Sequence, residues 1–126
     1  MFFVMDEDYW STLAQVNAND VVGPMGITFG NDNPTQVVGG HSVAGKITRE
    51  KYLIPAHGLR LVDGGTPFAI SDATDAKPFG VFTRVKAGKV VAMGEGMVSL
   101  YMTSWQGVTN YECARFMGDV FSWLLQ

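Results

Sequence analysis

The stretch Gly80-Val81-Phe82-Thr83-Arg84-Val85-Lys86-Ala87-Gly88-Lys89-Val90-Val91-Ala92-Met93 decides how the rest of the chain reads. It holds two runs rich in β-branched and aromatic residues, which suit a pleated, half-buried surface. Only Lys86-Ala87-Gly88 separates them, so an antiparallel hairpin is expected. Upstream, Leu59-Arg60-Leu61-Val62 and Pro67-Phe68-Ala69-Ile70 are two more strand candidates, making the second half of the chain strongly β. Downstream, residues 111–126 read as a helix. Their polar positions Glu112, Arg115, Asp119, Ser122 and Gln126 fall three and four apart in one narrow stripe, and nearly everything else is apolar. Such a wide apolar face suits a helix that packs on a sheet and also touches a neighbouring element. Thr109 or Asn110 is expected to cap it, placing Glu112 in the first turn, where the helix dipole favours negative charge.

The first half is less regular. Phe2-Phe3-Val4-Met5 is a continuous apolar run cut off by Asp6-Glu7-Asp8, as a buried strand reads when it ends at the rim of a sheet. Residues 8–22 are weakly helical, with Asn19 or Asp20 expected to cap a short second turn before Gly23-Pro24. Ile27-Thr28-Phe29 reads as a strand, residues 30–34 as a turn or loop, and residues 36–38 as a short strand before Gly39-Gly40-His41. Residues 42–57 carry no clear pattern.

A chain of 126 residues is the size of one domain, and 47% hydrophobic with 17% charged residues gives it enough apolar surface to fold. Net charge is −3, and no basic run exists, so a nucleic-acid footprint built from consecutive cations is excluded. The apolar start is too short for a signal peptide or a bilayer span, so a soluble, cytoplasmic protein with no membrane partner is expected. One cysteine rules out an intrachain disulfide and a cysteine-built zinc cage.

Few residues carry recognisable chemistry. Asp6, Glu7 and Asp8 follow a strand, where open α/β sheets place ligands. They suit a hard cation or a general base, or simply the dipole of a following helix. Gly94-Glu95-Gly96 follows another strand, and its glycines would let a backbone approach a ligand or make a tight turn; the third glycine of a dinucleotide fingerprint is missing. Neither His41 nor His57 has a partner at metal-ligand spacing, and Asn31-Asp32-Asn33 lacks the glycine and glutamate of a calcium loop. Cys113, flanked by Glu112 and Ala114 in an apolar helix, reads as a small core residue, and no nucleophile elbow promotes Ser99 or Ser104.

Several segments together resemble a family. Residues 21–30, Val-Val-Gly-Pro-Met-Gly-Ile-Thr-Phe-Gly, are similar to the leading helix and G-I-x-F strand of glutamine-amidotransferase-like domains, particularly the trehalose-utilisation (ThuA-like) proteins. Residues 39–47 resemble their H-P-[IV]-x-x-G segment, with Ser42 in place of the proline. Residues 88–94 resemble their G-K-G-R-V-V strand, and Val120-Phe121-Ser122-Trp123-Leu124-Leu125 their closing helix. Phe2-Phe3-Val4-Met5-Asp6 is similar to a strand that lies mid-domain in that family, whose first half would precede Met1. The resemblance implies an α/β fold: a flavodoxin-like three-layer sandwich, truncated at the N-terminus, with an added antiparallel β portion. The strand that carries the family's reactive cysteine has no counterpart here.

Two functions follow as expectations. The first is a non-catalytic, amidotransferase-like binding or assembly module linked to carbohydrate metabolism, with a small polar or sugar ligand. The second is a hydrolase-type enzyme on such a substrate, with Asp6, Glu7 or Glu95 as base, His41 as a positioning group and Gly94 and Gly96 lining the site. Neither invokes a cofactor or a metal. A sheet lacking half its strands also predicts a homodimer, or a partner chain completing the sheet, with contact through Phe116, Val120 or Trp123.

Overall fold

A computed structural model describes residues 1–6, 11–33, 39–56, 59–73 and 75–126. In chain order the elements are β1 (Phe2–Val4), α1 (Ala18–Val22), β2 (Thr28–Asn33), β3 (Gly39–Ser42), β4 (Leu53–Pro55), β5 (Leu59–Asp63), β6 (Thr66–Ser71), β7 (Pro78–Val85), β8 (Gly88–Met93), β9 (Ser104–Trp105), β10 (Val108–Thr109) and α2 (Cys113–Leu125). Short 3-10 turns cover Gly23–Met25 and Met97–Leu100. Among the described residues the structure is mixed α/β, mostly strands, with two helices and a curled six-stranded sheet in the order β1-β8-β7-β6-β3-β4.

The β7–β8 hairpin forms as its sequence predicts, Val85 pairing with Gly88 across Lys86 and Ala87. Lys86 takes the left-handed backbone (φ 55°) that so tight a turn requires. The expected flavodoxin-like sandwich is not confirmed. Only β1 and β8 run parallel, while β8–β7, β7–β6, β6–β3 and β3–β4 are antiparallel. Connections as short as Lys86-Ala87 leave no room for the crossover of a dozen or more residues that a parallel pair needs.

Both faces of the sheet are covered, which is why β8 reads as an unbroken apolar run. Val91 and Met93 share one core with Phe68 and Phe79 of the sheet and Phe116, Met117 and Val120 of α2. Val90 and Ala92 point the other way and share a second core with Val81, Val22, Ile27, and Phe29 and Val62 of the β2–β5 ribbon. The first core also takes in Ile47, Tyr52 and Ile54, so residues 47–54 cover the second side of α2. Phe116 and Val120, expected at a contact between copies, are instead buried within their own chain.

Four local expectations are corrected. Residues 30–33 continue β2 rather than turning, past an irregularity between Phe29 and Asp32; at Gly30 a Cβ would sit 3.3 Å from the Leu61 carbonyl oxygen. The first helix starts only at Ala18, and Asn19, rather than capping, binds the main chain of Phe29: its Nδ2–H donates to the carbonyl (2.9 Å) and its Oδ1 accepts from the N–H (2.7 Å). Neither Thr109 nor Asn110 caps α2, because both belong to the β9–β10 hairpin and its edge. Glu112 precedes the helix and turns outward to β4, its Oε2 accepting from the Leu53 N–H (3.0 Å) while its own N–H donates to the Leu53 carbonyl (2.8 Å). The expected strand at residues 36–38 lies outside the described residues, as does the start of the expected helix at residues 8–10.

Candidate functional site

The site is assembled where β3 and β6 lie side by side. Gly40 permits this approach: a Cβ there would meet the Ile70 carbonyl oxygen and the Phe79 ring, each at 2.8 Å. His41 is thereby paired with Ile70 on one side and Leu53 on the other. β6 ends at Ser71, and the N–H of Asp72 donates back to the Gly39 carbonyl (3.1 Å), which brings the Asp72 carboxylate to the imidazole. His41 Nδ1 and Asp72 Oδ1 are 2.7 Å apart. The bond engages Nδ1, and Nε2 is the ring nitrogen outside it.

The two side chains are 30% and 40% exposed and line a cavity of about 460 Å³. Apolar Val43, Ala44, Ile70 and Ala76 form much of its wall, with Lys51 also on it. Two hydroxyls lie beside the pair, and both are held by the backbone. Ser42 Oγ donates to the Glu50 carbonyl (2.9 Å) and accepts from the Tyr52 N–H (2.8 Å), and Ser71 Oγ accepts from the Ala73 N–H (3.1 Å).

The strand-end acids do not join this site. Asp6 follows β1, four strand positions from β3, and its Oδ2 accepts from the Gly96 N–H (2.9 Å). A Cβ on Gly96 would stand 2.8 Å from that oxygen, so this glycine makes room for Asp6. Gly94 is buried and its N–H donates to the Phe79 carbonyl (2.7 Å). Glu95 is fully buried, its Oε1 accepting from the Met97 N–H (2.9 Å) at the start of a 3-10 turn. Glu7 and His57 lie outside the described residues. Cys113 is buried, and burial, reinforced by the charge of Glu95, pushes its thiol up to about 11. Burial likewise pushes the Tyr111 hydroxyl up to about 12. Among the described residues no group of three side chains suited to hold a metal comes together.

Sequence reading missed two groupings. Asp72 carries no motif and finds His41 only through strand pairing. Asp119 sits in the polar stripe of α2 yet is buried. Its Oδ2 accepts from the Arg49 N–H and the Tyr52 hydroxyl, both at 2.8 Å, and its Oδ1 from Arg49 Nε at 3.0 Å. Burial pushes the Asp119 carboxyl up, but these donors outweigh it and hold the group below its ordinary value.

Comparison with protein families, with curated proteins and with solved structures finds no match for this chain. No helix among the described residues is long and apolar enough to cross a membrane.

Proposed function

We propose that this chain is a non-catalytic binding or assembly module that holds a small polar or sugar ligand at His41 and Asp72, in a cytoplasmic setting. The observation that carries this reading is the imidazole–carboxylate pair on the wall of an otherwise largely apolar cavity. Asp72 offers acceptors to ligand hydroxyls and His41 a further polar atom, while Val43, Ala44 and Ile70 suit the C–H face of a sugar ring. Ser42 and Ser71 are engaged by the backbone, and the only thiol is buried, which favours binding over nucleophilic chemistry. Kinship with the amidotransferase-like domains belongs to the same proposal; the parallel β1–β8 pair, with α2 packed over one face, is the part of the structure that supports it.

The test is a titration of isotope-labelled protein with mono- and disaccharides, trehalose included, followed by amide chemical shifts. Shifts should centre on His41, Asp72, Ala73 and Lys51, and His41→Ala or Asp72→Asn should abolish them. An absence of saturable shifts with every sugar, or shifts that survive both substitutions, overturns the reading. The expected hydrolase, with Asp6, Glu7 or Glu95 as base, is not supported by Asp6 and Glu95, which are engaged away from His41. A second reading instead takes the His41–Asp72 pair, with Asp72 orienting His41 as a general base toward water. Turnover of nitrophenyl glycosides that is lost in Asp72→Asn would favour it over simple binding.

A further inference from the structure

A second cavity of about 460 Å³ lies between residues 45–49 and the C-terminal part of α2. It is lined by Lys46, Ile47, Arg49, Asp119, Ser122 and Trp123, with Gln126 at one end, and shares no residue with the His41 cavity. Asp119 is the only acid side chain on it, and its oxygens already take the donors of Arg49 and Tyr52. Asp119 therefore serves to fix Arg49, whose side chain is held by Nε and one terminal nitrogen while staying 83% exposed. A guanidinium fixed this way is organised before any ligand arrives. On the Trp123 ring sit Arg84, at 5.6 Å, and Lys89, at 5.1 Å, which are cross-strand partners on the β7–β8 hairpin.

Lys46 and Arg49 line the cavity to which Trp123 contributes, and Arg84 and Lys89 stand over the Trp123 ring outside that lining, in a protein of net charge −3. The negative end of the helix dipole accounts for one of them, because Lys89 Nζ donates to the main-chain carbonyls of Trp123 (2.8 Å) and Gln126 (3.3 Å). Asp119 accounts for Arg49. Lys46 and Arg84 form no ion pair with any described carboxylate. Of these cations Lys46 lines the cavity without an ion-pair partner among the described residues, and such a charge on a cleft wall, beside the fixed Arg49 fork, draws in anions. Ile47 and Trp123 add apolar surface beside them.

We propose that this cavity binds a small phosphorylated molecule, its phosphate between Lys46 and Arg49 and its organic part along Trp123. Phosphate brings the charge and the several acceptor oxygens that an arginine fork and a lysine point charge recognise together. The proposal does not depend on the sugar site, because the two cavities have separate linings.

Glucose 6-phosphate and inorganic pyrophosphate are the probes, with unphosphorylated glucose and sodium chloride at matched ionic strength as controls, read by amide shifts and by the Trp123 indole signal. Both phosphorylated probes should give saturable shifts at residues 45–49 and 119–126. Lys46→Ala should weaken binding about tenfold, and Lys46→Ala with Arg84→Ala further, with melting temperature unchanged. Arg49 is left intact in these variants because it also satisfies Asp119. Shifts no larger than those from sodium chloride, or binding that survives the double substitution in a folded protein, overturn the proposal.

Discussion

Cys113 and Asp119 are both buried in α2, and the two differ in what burial has done to them. Burial of the thiol outweighs the backbone hydrogen bonds that favour its ionised form, and the charge of Glu95 adds to it, so the pKa is raised to about 11. Thiol reagents should label it slowly in the native protein and fast after unfolding; rapid native labelling by a bulky maleimide would contradict the burial. Cys113→Ala should cost about 1 kcal/mol through lost packing and leave ligand binding unchanged. The unfolded thiol ionises first, so this residue's stabilisation is complete below about pH 8.5 and lost as pH rises toward 11. Asp119 is the opposite case. Its carboxyl is held below the ordinary value, so its contribution is complete above about pH 4 and disappears as pH falls through the lower, folded value. Asp119→Asn should remove about 2 kcal/mol in urea unfolding at neutral pH, the scale of lost charge-assisted hydrogen bonds, and should flatten the acid limb of the stability curve. An unchanged acid limb would show that the carboxylate is not what titrates. At this scale the sequence was only half legible. His41 stands out beside two glycines, but Asp72 is 31 residues away and is brought to it only by the pairing of β3 with β6. The spacing that marks Asp119 as part of a polar stripe does not distinguish a solvated stripe from one turned toward Arg49 and Tyr52.

Elements were legible where hydrophobic pattern and turn chemistry agreed. β5, β6, β7, β8 and α2 all lie where alternation or helical spacing puts them. Gly30-Asn31-Asp32-Asn33 is turn-like in composition and hides the second half of β2 from the sequence; strand pairing with β5 overrides that local preference. β3 was missed for a related reason, since Gly39-Gly40 has almost no strand propensity of its own. Its glycines are used for contact. Gly40→Ala would push a methyl against the Ile70 carbonyl and the Phe79 ring, and only the ring can give way. The expected cost is about 1–3 kcal/mol, the usual range for an overpacked core. It should also displace His41 from Asp72, so sugar-dependent shifts should weaken along with stability. Gly45→Ala meets no atom within 4 Å but must adopt a φ of +83°, so it is a control for backbone strain without steric collision. Equal loss of the sugar response in both variants would argue that the His41 geometry does not depend on the β3–β6 contact.

Across the whole molecule the sheet has two edges, and they are treated differently. At β4 the main-chain groups of Leu53 are taken by Glu112, and Pro55 has no N–H to offer. At β1 the Met1 carbonyl and the Met5 N–H bond to β8, so the main chains of Phe2 and Val4 face outward, and no described strand pairs there. Beside this edge Phe2 meets Phe121 edge-on at 6.2 Å, and Val4, Phe121 and Leu125 are exposed, Leu125 at 85%. The expected homodimer would therefore meet at β1, and not at the face of α2 that carries the buried Phe116 and Val120. The arrangement is self-complementary. An antiparallel pairing of two β1 strands about a two-fold axis at Phe3 sets Phe2 opposite the second copy's Val4, and each such pair can exchange both of its hydrogen bonds. The same axis carries the Phe121 side of one α2 toward that of the other, joining apolar surface to the new strand pair. Such an interface should bury more than about 1,000 Å² in total. Light scattering at micromolar concentration should then give the mass of two chains. Val4→Lys with Phe121→Glu, both at exposed positions, should give the mass of one chain with the fold retained by circular dichroism. A wild-type mass of one chain, or a dimer that persists in the double variant, would show that β1 is not where copies meet.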